Sequence, residues 1–321
     1  MLLKQADDKS RRLALLEDLQ QSSLLDARQK RWLREELLRC RKGIQGERES
    51  AHHLDSYFKG RDTHVLIHDL RLVVDGDVAQ IDHLLINRAG HFYLIETKNY
   101  AGHVSVNAHG EFTVRYDQDC YGVPSPLEQS HRHERILLRL LERLDIAPRT
   151  DKQPPVHHLV MMHPKAIIQR PDSREFDTSF LIKADQFPSW HKQFIDGTGV
   201  GAAFMLLANL RSQETIRGWG EKLLRQHRPD DLLALPEFMR PCAVAQAEAR
   251  ETATAAKQVP AVAPLREAPA RVEAQSADSA KKLVCARCGA KISFAEGRFC
   301  WGRPQRFGGL QYCREHQALF D

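Results

Sequence analysis

Gln80-Ile81-Asp82-His83-Leu84-Leu85-Ile86-Asn87-Arg88-Ala89-Gly90-His91-Phe92-Tyr93-Leu94-Ile95-Glu96-Thr97-Lys98-Asn99 is a pair of apolar runs interrupted by three residues that end in glycine. A three-residue hairpin loop with Gly in the left-handed position is a common antiparallel connection, so the stretch reads as a β-hairpin. If Asn87 pairs with His91, paired positions sum to 178 and Asp82 falls opposite Glu96. Cross-strand partners have Cβ atoms about 4.5–5.5 Å apart. Lys98, two residues beyond Glu96, shares its face by alternation. His83 points to the other face, where packing rather than metal ligation is expected of it.

Two carboxylates at that separation repel by about 3 kcal/mol at an effective dielectric near 20. Folding alone gains nothing from such a pair, whereas a hard divalent cation, Mg²⁺ or Mn²⁺, removes the penalty through oxygen ligands. An adjacent ammonium suits charge building up on a phosphate. The duller alternative is a salt-bridged patch on an exposed sheet face.

Working outward, short β-prone runs at Thr63–Leu70, Ala79–Asn87, His91–Asn99, His103–Val106, Glu111–Tyr116 and Val156–Met162 alternate with helical periodicity near Leu127–Leu144. The expected fold is α/β, a mixed central sheet flanked by helices. The first forty residues, free of Gly and Pro, read as one or two amphipathic helices, either a partner-binding arm or a cover for the body. Gly43 and Gly46 then read as a break before a further helix, Glu47 to Phe58. The chain divides into a helical segment (1–42), a core (43–165), an extension (166–240), an Ala- and Pro-rich linker (241–282) and a terminal module (283–321).

Asp82 followed by Glu96-Thr97-Lys98 resembles the catalytic signature of restriction-endonuclease-like PD-(D/E)xK enzymes. With Gly46-Glu47-Arg48-Glu49, Gly90, Gly102 and Pro126-Leu127-Glu128-Gln129, the resemblance narrows to the nuclease-related (NERD) family over roughly residues 43–165. The resemblance implies a restriction-endonuclease-like core with Asp82 and Glu96 as Mg²⁺ or Mn²⁺ ligands and Lys98 as the catalytic lysine. Glu47 is then an accessory acid and Gln129 an accessory polar group near substrate. Read without it, Glu47 is a favourable charge in a helix's first turn. The implied activity is phosphodiester hydrolysis of nucleic acid, DNA rather than RNA, with water as nucleophile; the rival is a nuclease-like adaptor that binds nucleic acid or protein without cleaving.

Four of the seven cysteines lie in the last forty residues. Cys285-Ala286-Arg287-Cys288 and Cys313-Arg314-Glu315-His316 are paired knuckles at matching spacing, a structural Zn²⁺ pattern, with Cys300 as an alternative ligand. The module resembles the small zinc ribbons appended to nucleic-acid enzymes. Residues 281–321 carry eight Lys/Arg against three acids, while the rest of the chain is balanced. Arg298, Arg303 and Arg306 lie among Phe299, Trp301, Phe307 and Tyr312, a mixture suited to phosphates and unstacked bases, or alternatively a protein-docking surface. With no signal-like start and no long apolar run, the expectation is a cytoplasmic protein with no membrane partner. Walker, G-x-S-x-G, dinucleotide-binding and H-E-x-x-H motifs are missing, which excludes the enzyme classes they mark. Oligomeric state is not legible.

Overall fold

A computed structural model describes residues 1–149, 153–197, 199, 204, 206–240, 285, 290–293, 299–300, 303, 307 and 310–317. The chain forms two compact units, Met1–Gln258 and Val259–Asp321. The expected linker, Cys288, Arg298, Trp301 and Arg306 lie outside the described residues, as does most of the apolar run 200–207.

The first unit is built on a six-stranded mixed sheet ordered β1-β2-β3-β4-β8-β10. These strands are β1 (Leu2–Lys4), β2 (His64–Val74), β3 (Asp77–Asn87), β4 (Phe92–Lys98), β8 (Val156–Met162) and β10 (Leu181–Lys183). β2, β3 and β4 form an antiparallel meander, while β8 and β10 join in parallel and β1 adds in parallel beside β2. The expected hairpin forms in the expected register, with Ile86 opposite Phe92 and His83 opposite Ile95. Gly90 sits at φ 80°, as the loop requires.

A second sheet, β7-β6-β5-β9, packs beside β8. It contains β5 (His103–Val106), β6 (Phe112–Tyr116), β7 (Asp119–Val123) and β9 (Ile167–Gln169).

Helices cover both faces of the main sheet. On one, Ile136, Leu137, Leu140 and Leu141 of α3 (Pro126–Arg143) and Ile216, Trp219 and Leu223 of α5 (Gln213–Leu224) pack on Val65, Ile67, Leu84, Phe92 and Leu94. On the other, Leu54 and Phe58 of α2 (Ala27–Phe58) and Phe187 of α4 (Phe187–Asp196) meet Leu66, Leu85, Tyr93 and Ile95. α1 (Ser10–Gln20) packs on the first half of α2 through Leu16, Leu33 and Leu37, with Met239 in the same cluster. Among the described residues no helix is long and apolar enough to cross a membrane.

Three local expectations need correction. Gly43 and Gly46 do not interrupt anything: α2 runs unbroken for 32 residues from an Asp26 capping box closed by Gln29. Glycine costs only about 1 kcal/mol in a helix interior, which the buried stripe of α2 outweighs. The first residues are a strand before they are helix, because Met1 and Leu2 find a free edge on β2. The run at 63–70 extends to Val74 and turns through Asp75-Gly76, both at positive φ, into β3. Asp-Gly is a strong hairpin signal, and it stands in the sequence.

Gly46 has a packing reason as well. A Cβ there would lie 2.7 Å from Asn99 Cβ, so glycine lets α2 cross the end of β4, and Asn99 Nδ2 donates to Lys42 O at 2.7 Å. A Cβ on Gly43 meets only Glu47 Oε1, at 4.0 Å. Gly46→Ala is therefore expected to destabilise the protein by about 1–3 kcal/mol. Gly43→Ala should stabilise it by up to about 1 kcal/mol, and denaturant unfolding of the two variants measures the contrast.

Candidate active site

Even-numbered Glu96 and Lys98 continue the face of Phe92 and Leu94, which looks towards α3. They stand at the C-terminal end of β4, a central strand hydrogen-bonded to β8 throughout. Glu96 is 3% exposed. Its Oε1 accepts from Lys98 Nζ at 2.7 Å and from Gln129 Nε2 at 2.7 Å, and Lys98 Nζ also donates to Gln129 Oε1 at 3.1 Å. The helix after the sheet thus closes a three-membered ring over the carboxylate. Ser125 caps that helix by accepting from Glu128 N, and Pro126 opens its first turn, fixing where Gln129 projects.

Asp82, half-buried on β3, accepts from Thr97 N at 2.8 Å. Burial pushes its carboxyl well above the ordinary range, and the charges of Glu96 and Glu47 push the same way. Burial also raises Glu96, although Lys98 and Gln129 oppose it. For Lys98, burial favours loss of the proton, but Glu96 and Asp82 outweigh it and hold the ammonium charged. A buried carboxylate that remains strained beside its own lysine is a poor source of stability. An exposed salt-bridge patch is therefore not what these residues form.

Glu47 projects from α2, and its charge acts on both Asp82 and Glu96. It is six turns into the helix rather than at its start, so a helix-dipole role does not apply. It pairs with a residue the sequence did not single out, Lys9, whose Nζ lies 2.9 Å from Glu47 Oε2 and 3.4 Å from Asp69 Oδ2. Asp69 was also missed. It is 4% exposed, stands across from Asp82 in the β2–β3 register at φ 51°, and accepts from Gln80 Nε2 at 3.1 Å. An Asp inside a β-prone run, at Ile67-His68-Asp69-Leu70, was its only signal; nothing local marks Lys9.

His83 behaves as expected. At 1% exposed it lies in a string of contacts, Asp55 to His68 (3.0 Å), His68 to His83 (2.8 Å) and His83 Nε2 to Thr97 Oγ1 (3.2 Å). Burial and His68 hold its pKa well below the usual imidazole value, so it packs as a neutral ring and steadies Thr97, whose N–H reaches Asp82.

In the second unit the ligand atoms of Cys285, Cys313 and His316 lie within 4.8 Å of one another. His316 Nδ1 is 3.1 Å from Cys313 Sγ and 3.6 Å from Cys285 Sγ, and Cys285 N donates to Ala290 O at 2.8 Å. Cys300 is not in this trio: its sulfur accepts from Tyr312 N at 3.4 Å and Gln317 Nε2 at 3.3 Å. Among the described residues of this unit Cys285, Ile292, Cys300 and Phe307 are buried, and Arg303 lies 4.0 Å over the Phe299 ring.

A family model described as "nuclease-related domain" (NERD) matches residues 42–163, from the middle of α2 to the end of β8. No curated protein and no solved structure matches the chain.

Because folding raises the Asp82 and Glu96 pKa values, the native state binds more protons than the unfolded chain from the ordinary carboxylate range upward. Stability of the metal-free protein then falls as pH rises through that window. Asp82→Asn, which keeps an acceptor for Thr97 N–H, is expected to stabilise the metal-free protein at pH 7 by about 1 kcal/mol or more. The gain should vanish near pH 4, where wild-type Asp82 is already protonated, and thermal melts across that range provide the check.

Proposed function

We propose, taking as premise that the chain carries a nuclease-related domain over residues 42–163, that it is a divalent-metal-dependent nuclease hydrolysing phosphodiester bonds, with DNA as substrate. The observation that carries this reading is the buried Glu96, bound by Lys98 and Gln129 with Asp82 on the neighbouring strand.

Asp82 and Glu96 fit a hard divalent cation: both are carboxylates that burial leaves short of countercharge. Mg²⁺ or Mn²⁺ held there supplies Lewis-acid stabilisation of charge on a phosphate oxygen. Lys98, kept protonated, offers N–H donors to the charge growing on the phosphoryl group. Gln129 positions that ammonium through its carbonyl and orients Glu96 through its amide. Lys9 offsets part of the charge of Glu47 and Asp69, and so lowers the negative field that a polyanionic substrate meets.

The tail's fit to zinc rests on its donor set. The imidazole nitrogen lies 3.1 and 3.6 Å from the two sulfurs, close to the S–N edge of a zinc-centred tetrahedron, about 3.5 Å for these bond lengths. Cys288 is the proposed fourth ligand. Arg303 stacked on Phe299 in a basic module suits single-stranded substrate.

Plasmid and single-stranded DNA should be cleaved in Mn²⁺ and spared in chelator, and Lys98→Ala should lower the rate by about a hundredfold or more. Cleavage that is metal-independent, or unchanged in Lys98→Ala, places the activity elsewhere; no cleavage of any substrate favours the adaptor reading. Native mass spectrometry of the full chain should show a Zn²⁺ that Cys313→Ser loses without loss of Mn²⁺-dependent cleavage of short duplexes.

A further inference from the structure

We propose that His131, Glu134 and His158 form a further metal site, for a borderline divalent cation such as Zn²⁺, that staples α3 to β8. Among the described residues their ligand atoms make one of two such clusters, all within 4.8 Å of one another. His131 and Glu134 are one helical turn apart on α3, and His158 rises from β8 beneath them.

The spacing is that of ligands around an ion. Glu134 Oε2 is 3.4 Å from His131 Nδ1 and 3.3 Å from His158 Nε2. Zn–N and Zn–O bonds of 2.0–2.2 Å at tetrahedral angles give edges of about 3.3–3.6 Å. The imidazoles meet edge to face with centroids 4.1 Å apart, and their ligand nitrogens lie within 4.8 Å of one another.

The outer partner is in place too. Ser130, 1% exposed, sets its Oγ 2.8 Å from His158 Nδ1. When Nδ1–H donates to that hydroxyl, Nε2 turns its lone pair towards Glu134, and two lone pairs 3.3 Å apart call for a cation between them. Without an ion, the alternative is a network in which Ser130 donates to Nδ1 and Nε2–H donates to Glu134.

Two imidazoles and one carboxylate favour a borderline cation over Mg²⁺ and leave a fourth position for water or an anion. His131 and Glu134 keep 37% and 26% of their side-chain surface exposed, so the cluster is open to solvent. The staple lies next to the candidate active site in the chain. Gln129 is two residues before His131, and His158 pairs in register with Leu94, two residues before Glu96. An ion here pins the helix that presents Gln129.

Metal-stripped full-length protein dialysed against Zn²⁺ or Co²⁺ distinguishes the two arrangements. His158→Ala should lose one tightly bound equivalent while the thiolate-to-cobalt charge-transfer band of the cysteine cluster is retained; Cys313→Ser should do the reverse. Because His158 is half-buried, a variant carrying both His131→Gln and Glu134→Gln, at more exposed positions, repeats the measurement with little risk to folding. Ser130→Ala should weaken the same equivalent by about tenfold or more. Unchanged stoichiometry in the folded His131/Glu134 variant would overturn the proposal and leave the hydrogen-bonded network.

Discussion

A carboxylate buried at the end of a central strand governs the rest of this molecule's architecture near β4. Glu96 has almost no access to water, so every element around it is arranged to satisfy it. Lys98 comes from its own strand, Gln129 from α3, and both bonds converge on the same oxygen. Even so, Glu96 and Asp82 stay harder to ionise than ordinary carboxylates, because burial outweighs the lysine. Apolar residues of similar volume would pack there at less cost, so the arrangement is not one that stability selects.

The surrounding scaffold limits how far those groups can move. β4 is fixed on both sides, antiparallel to β3 and parallel to β8. Thr97, between the two charged residues, donates its N–H to Asp82 and receives His83 at its hydroxyl, with His68 and Asp55 behind. Helix α2 approaches closely enough to bring Glu47 in only because Gly46 has no side chain to strike Asn99. Preorganisation of this kind keeps polar groups aimed at a charge without the reorganisation that water would need.

The segment before α1 adds a second cation to the cluster. Lys9 bridges Glu47 and Asp69, residues from α2 and β2, and its ammonium is held charged against the cost of burial by those two acids. β1 makes this possible by threading onto the sheet edge, with Met1 O accepting from Leu66 N. The leading segment is thus part of the site's electrostatics, although 42–163 is the stretch the nuclease-related family model covers.

Local sequence was enough to place the hairpin, its loop and the Asp82–Glu96–Lys98 face, because strand alternation and turn chemistry act over a few residues. Gln129 and Glu47 came from resemblance rather than spacing. Lys9, Asp69 and the cluster of His131, Glu134 and His158 escaped notice because their meaning lies in contacts between elements distant in the chain. Helix continuity through Gly43 and Gly46 is not legible locally for the same reason: glycine's local cost is small, and burial of α2 against the sheet decides the outcome. Periodicity could specify which face a side chain takes, while only tertiary packing settled which side chains meet there and how far burial shifts their charge.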